Sequence, residues 1–70
     1  PDYPAIRRGS RGAAVAEAQG LLAATGYEVT PDGLFGARTD AAMRAFQKSV
    51  GLTADGICGP KTWAALLPEG

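Results

Sequence analysis

An all-α fold, a compact three-helix bundle built on two homologous Asp-Gly turn-to-helix units, is what this sequence predicts. The first observation is an internal repeat. Asp32-Gly33-Leu34-Phe35-Gly36-Ala37-Arg38-Thr39-Asp40-Ala41-Ala42-Met43 returns as Asp55-Gly56-Ile57-Cys58-Gly59-Pro60-Lys61-Thr62-Trp63-Ala64-Ala65-Leu66. Each copy reads as a turn, one inward apolar residue, a second glycine and the start of a helix. The second observation is helical periodicity of apolar residues in three stretches, with no segment alternating as a strand does. The third is size. At 70 residues, 46% apolar and 20% charged, the chain makes one small globular domain.

The elements follow in order. Residues 1–11 hold two prolines and no period, which predicts an extended lead-in with Tyr3 and Ile6 free to pack on the domain. Gly9-Ser10-Arg11-Gly12 faintly repeats the turn, with Gly12 where the second glycine stands. Helix 1 is expected over about 13–25, with Val15, Ala18, Leu22 and Thr25 on its apolar stripe and Leu21 beside it. Gly26 is a left-handed stop. Gly20 falls on the side away from Val15 and is expected to be exposed. Gln19 lies on the stripe itself, where an unpaired amide costs roughly 1–3 kcal/mol, so it is read as structural, with loop backbone as partner.

After the connector 26–31 comes the first unit, then helix 2 over about 37–50, with Thr39, Ala42, Met43, Phe46 and Val50 on one face. Gly51 ends it and Leu52 folds back on the last turn. Helix 3, about 60–67, opens on Pro60, which suits a first helical position because its missing N–H has no partner to lose there. Pro68 stops it. The expected core is Val15, Leu22, Leu34, Met43, Phe46, Ile57, Trp63 and Leu66. The expected organisation is a lead-in over 1–11, a domain over 12–67 and the start of a linker over 68–70.

Several function classes fall away on composition. Seven basic and seven acidic residues cancel, which argues against a nucleic-acid binder. The apolar run 21–24 is far too short to insert in a membrane. There is no histidine and one cysteine, so neither a zinc site nor a disulfide within the chain is expected, and no cofactor is called for. Ser10 lacks a histidine partner. Cys58 lacks an activating base and reads as a small hydrophobe in a loop pocket. No phosphate-loop pattern occurs.

The paired carboxylates Asp32 and Asp55 occupy twin positions before glycine, which points to a turn role through their own downstream backbone. Thr39 and Thr62 share the inward helical stripe and are expected to bond the Asp-Gly turn, clamping turn to helix. Arg38 and Lys61 stand one residue earlier, about 100° round the helix and in solvent. A cation held twice at an exposed position has two readings, a solvated flank charge or recognition of an anionic ligand, and the residues alone leave both open.

These residues then meet a family. Gly9-Ser10-x-Gly12-x-x-Val15-x-x-x-Gln19-x-x-Leu22, Gly26-Tyr27, Asp32-Gly33-x-Phe35-Gly36-x-Arg38-Thr39-x-x-Ala42-x-x-x-Phe46-Gln47 and Gly51-Leu52-x-x-Asp55-Gly56-x-x-Gly59-Pro60-x-Thr62-Trp63 resemble the bacterial peptidoglycan-binding domain of the three-helix type 1 kind. The resemblance runs from about Ile6 to Leu67. It departs at Ala18, where Leu is common, and at Cys58, where a larger apolar residue is common, which implies a slightly looser core. It implies a non-catalytic module outside the cytoplasm, in the bacterial cell wall or secreted, that holds a fused cell-wall hydrolase or transpeptidase on peptidoglycan. Related domains serve as propeptides of matrix metalloproteinases, where a cysteine blocks the zinc. Ile57-Cys58-Gly59-Pro60 does not match that inhibitory motif, yet a regulatory module packed on its own enzyme or a protein partner is the alternative. The expected ligand surface is Gly33, Gly36, Gly56 and Gly59 for backbone approach, Arg38 or Lys61 for a carboxylate, and Tyr27 and Phe35 for a sugar or peptide face. The domain is expected to act as a monomer.

Overall fold

The computed structural model describes residues 3–68. Three helices form: α1 (Ala13–Ala24), α2 (Ala37–Ser49) and α3 (Pro60–Leu66). The resulting all-α bundle packs α1 against both α2 and α3. Each helix starts at a glycine N-cap, Gly12, Gly36 and Gly59 respectively, so the faint third copy of the turn does occupy the equivalent place before α1.

Two helix ends are built alike. At the end of α1, Gly26 N–H donates to Ala23 O (3.0 Å) and Tyr27 N–H to Leu22 O (3.1 Å). At the end of α2, Gly51 N–H donates to Lys48 O (3.2 Å) and Leu52 N–H to Gln47 O (2.8 Å). This double closure needs a left-handed residue just past the helix, and Gly26 (φ 110°) and Gly51 (φ 78°) supply it.

The core comprises Ile6, Val15, Ala18, Leu22, Phe35, Ala42, Met43, Phe46, Cys58, Trp63 and Leu66. Two expected members are missing. Leu34 is 55% exposed and Ile57 is half-buried, while their neighbours Phe35 and Cys58 are buried at 3% and 0%. The reason is backbone pairing with the N-terminal segment. Phe35 N–H donates to Ser10 O (3.0 Å) and Phe35 O accepts from Gly9 N–H (2.9 Å). Cys58 N–H donates to Ile6 O (2.8 Å), and Ile6 N–H returns a bond to Cys58 O (3.2 Å). Adjacent residues of an extended segment face opposite ways, so pairing at Phe35 and Cys58 turns Leu34 and Ile57 outward. Val50 is also exposed (43%), since it caps α2 rather than extending its stripe. Thr25 likewise caps α1 in solvent, and Gly20 is half-buried rather than exposed.

The lead-in is therefore a strap belonging to the domain. Ile6 enters the core at 4% exposure. Trp63 Nε1–H donates to Pro4 O (2.9 Å), and the Tyr3 ring stacks on Trp63 with centroids 4.4 Å apart. The Tyr3 hydroxyl donates to Glu17 Oε2 (3.1 Å), an interaction that raises the phenol above its ordinary range. Residues 3–11 thus pack against residues of the 12–67 unit. The expected linker start lies partly outside the described residues, at 69–70.

Candidate functional site

The helix periodicity that buries Val15 and Leu22 also buries Gln19, at 0% exposure. Its Oε1 accepts from Gly33 N–H (2.8 Å). Its Nε2 donates towards Leu34 O (2.9 Å), Thr39 Oγ1 (2.9 Å) and Asp32 Oδ1 (3.1 Å). Three acceptors share an amide with two hydrogens, so one hydrogen is bifurcated. Thr39 therefore meets the turn only through Gln19, where the sequence had suggested a direct bond.

Gln47 repeats the arrangement in the second unit. Its Oε1 accepts from Gly56 N–H (2.9 Å), and its Nε2 reaches Ile57 O (3.0 Å), Thr62 Oγ1 (3.1 Å) and Asp55 Oδ1 (3.2 Å). Sequence reasoning did not give Gln47 this role. The signal was present, because Gln47 follows Met43 by four positions and so lies on the buried stripe of α2. Every buried side-chain nitrogen and oxygen among the described residues finds a partner.

Asp32 and Asp55 each close their own turn, accepting from Leu34 N–H (3.0 Å) and Ile57 N–H (2.9 Å). These backbone donors are the main reason that both carboxyls sit below their ordinary range. The Gln19 amide adds to the effect at Asp32, and the Gln47 amide and the Arg44 charge add to it at Asp55. Both acids are thus engaged in turns, which leaves acid–base chemistry without a free carboxylate pair here. Cys58 is buried, and desolvation pushes its thiol up to about 12.

The glycines split into two kinds. Gly33 and Gly56 are buried with their N–H groups held by Gln19 and Gln47, so neither offers backbone to a ligand. Gly36 is exposed and Gly59 half-buried. Phe35 is in the core and cannot lie against a sugar face. Tyr27 is half-buried, edge-on to Phe46 (centroids 6.4 Å) with its hydroxyl 3.4 Å from Ser49 Oγ. That places it by the C-terminal end of α2, whereas Arg38 is in the first turn, about 16 Å away along the helix. The two do not share a site.

What the fold does assemble is an open groove of about 570 Å³ beside the second unit. It is lined by residues 51–53 and 59–62 together with Gln47, Asp55 and Ile57. Lys61 is exposed at its edge, and among the described residues it has no acidic partner within salt-bridge distance. Of the residues expected to bind ligand, the groove gathers Gly59 and Lys61.

A family model described as "Putative peptidoglycan binding domain" matches residues 11–66. The chain belongs to this family. It is a peptidoglycan-binding module, not a catalytic domain. Over 61 residues it is 44% identical to the zinc D-Ala-D-Ala carboxypeptidase of Streptomyces albus G, covering 83% of this chain and 24% of that enzyme. A peptidoglycan-binding protein from Clostridioides difficile superposes with a TM-score of 0.89 at 47% identity, over 91% of this chain and 40% of that one. A fused zinc-dependent amidase/peptidase/peptidoglycan-binding domain-containing protein from Clostridium acetobutylicum superposes at 0.90 and 33% identity, over 99% of this chain and 31% of that one. The chain spans well under half the length of these relatives. Among the described residues no group of side chains has the make-up of a metal site, and no helix is long and apolar enough to cross a membrane.

Proposed function

We propose that the groove beside the second Asp-Gly unit is the surface on which this module holds peptidoglycan, anchoring a fused cell-wall-remodelling enzyme outside the cytoplasm. The observation that carries the reading is the position of Lys61. It is a cation with no acidic partner among the described residues, on the edge of an open groove that Leu52 and Pro60 also line. Peptidoglycan stem peptides offer carboxylates and amides, and such a rim provides charge for the first and apolar contact for the chain between them. The Gln47 clamp supports the reading indirectly, because it ties together Asp55, Ile57 and Thr62 of the groove lining before any ligand arrives. The site is shallow, so affinity is modest and gains from tethering on a polymer.

Co-sedimentation with insoluble peptidoglycan at low salt tests this. Wild type is expected to pellet, and Lys61→Ala to bind about two- to fivefold more weakly. Arg38→Ala, at the first unit, is expected to pellet as wild type does. The reverse ranking would contradict the assignment of the groove. Tyr3 and Pro4 are held by Trp63 of this same chain, so their order does not call for the alternative, a module packed on its own enzyme or a protein partner.

A further inference from the structure

Adjoining the groove at the second Asp-Gly turn is a smaller cleft of about 250 Å³, with Arg7, Arg8 and Arg44 among its lining residues. Asp55 and Ile57 line both the cleft and the groove, so a single ridge separates the two. The cleft is rigid on both sides. Ser10 N–H donates to Arg7 O (2.8 Å) and Arg7 N–H to Ser10 Oγ (3.0 Å), closing a turn that carries both of these cleft-lining arginines. That turn is pinned by Ile6 to Cys58 and by Gly9 to Phe35. Opposite, Arg44 Nε bonds Asp40 Oδ2 (3.1 Å) and Oδ1 (3.3 Å), and its Nη1 bonds Ala54 O (3.1 Å).

The two acids of the cleft are both engaged. Asp40 is paired with Arg44, and Asp55 keeps its charge while its Oδ1 accepts from its turn and from Gln47, so three arginines against two carboxylates leave the cleft one net positive charge. Among the described residues, Arg7 and Arg8 have no carboxylate within salt-bridge distance. Gly56 contributes by having no side chain. A Cβ there would press on Asp40 and stand 3.1 Å from Arg44 Nε, forcing the ion pair that lines the cleft to shift. Two guanidinium forks without an acidic partner among the described residues, on an anchored turn and in a space of this size, suit one planar oxyanion.

We infer that the cleft formed by Arg7, Arg8 and Arg44 is a second subsite, one that takes a carboxylate of the same polymer lying in the groove. The inference rests on the groove reading above. Continuity across the Asp55–Ile57 ridge favours a carboxylate of the peptide already bound over an independent phosphodiester polymer. An extended peptide crossing the ridge places its apolar part on Ile57 and its free carboxylate between the arginines. The cleft thereby confers a preference for unamidated peptide.

Titration of the full chain, ¹⁵N-labelled, with two soluble disaccharide-tetrapeptides tests this, one with free carboxylates and one with carboxamides in their place. The Arg7→Gln/Arg8→Gln double variant is expected to lose about three- to tenfold in affinity for the carboxylate probe and nothing for the amidated one. Groove resonances such as those of Leu52 and Lys61 move with both probes in both proteins. An equal loss on both probes, or no loss, overturns the subsite while leaving the groove intact. Shifts at Arg7 and Arg8 with a glycerol-phosphate oligomer but not with the carboxylate probe overturn the choice of ligand. If neither muropeptide moves the groove resonances, the groove reading fails first and the subsite falls with it.

Discussion

Gln19 and Gln47 make the same four hydrogen bonds to equivalent atoms of two different turns. Each glutamine ties an Asp-Gly turn, the outward apolar residue after it and a buried threonine to a preceding helix. The repeat is thus a repeat of a buried polar clamp, and the clamp fixes where each following helix starts. Replacing Gln47 by Leu strands the Gly56 N–H and the Thr62 hydroxyl in an apolar setting. The expected loss is about 2–4 kcal/mol, since each stranded buried group costs roughly 1–3 kcal/mol. Gln19→Leu is expected to match it. Urea melts of the two variants check this, and a loss below about 1 kcal/mol in both would remove the clamps from the account.

The strap gives a second prediction. Ile6 lies outside the domain boundary that the sequence suggested, yet it is a core residue paired to Cys58. Ile6→Ala should destabilise the fold by about 2–4 kcal/mol, the usual range for deleting a buried branched side chain. Thermal unfolding is the measurement. A change within about 0.5 kcal/mol would mean that residues 3–11 merely lie on the surface.

Acid stability follows from the turns. The Asp32 and Asp55 carboxyls are depressed below 3.8 in the folded chain, chiefly by the Leu34 and Ile57 backbone donors. A carboxyl depressed by folding stabilises the fold above its unfolded pKa, and that contribution disappears as pH falls through the folded value. Stability should therefore hold from neutrality to about pH 4 and fall below it. In the Asp32→Asn/Asp55→Asn variant the acid limb of the stability–pH curve should be shallower. Melting curves between pH 2 and 7 would contradict this if the limb were unchanged.

Cys58 is a core residue whose thiol is pushed up to about 12 by burial. It should resist alkylation in the native protein at pH 8 and react at the rate of an ordinary thiol once unfolded. Mass spectrometry after timed iodoacetamide treatment reads the difference directly. Fast native labelling would show the loop pocket open.

Much of this was legible in the chain. The helices lie within one residue of where periodicity and the glycine stops place them, because both signals are local. Asp32 and Asp55 were readable as turn residues for the same reason. The errors share a cause as well. Leu34 and Phe35 exchange places in the core because Gly9 and Ser10 pair with Phe35, a contact between segments that no local pattern announces. The same pairing took Phe35 out of the expected binding surface. The roles of Gly33 and Gly56 depend on Gln19 and Gln47, and Gln47 lies on the same buried stripe of α2 as Met43. Tyr27 packs at the C-terminal end of α2 and Arg38 stands in its first turn, a separation set by tertiary packing that no local pattern announces.

Amide chemical-shift mapping with a soluble disaccharide-tetrapeptide shows whether the groove is where peptidoglycan binds. The largest shifts are expected at residues 51–53, Ile57, Gly59 and Lys61, with Arg38 and Tyr27 little affected. Shifts confined to the outer face of α1 around Glu17, with the groove silent, would contradict it.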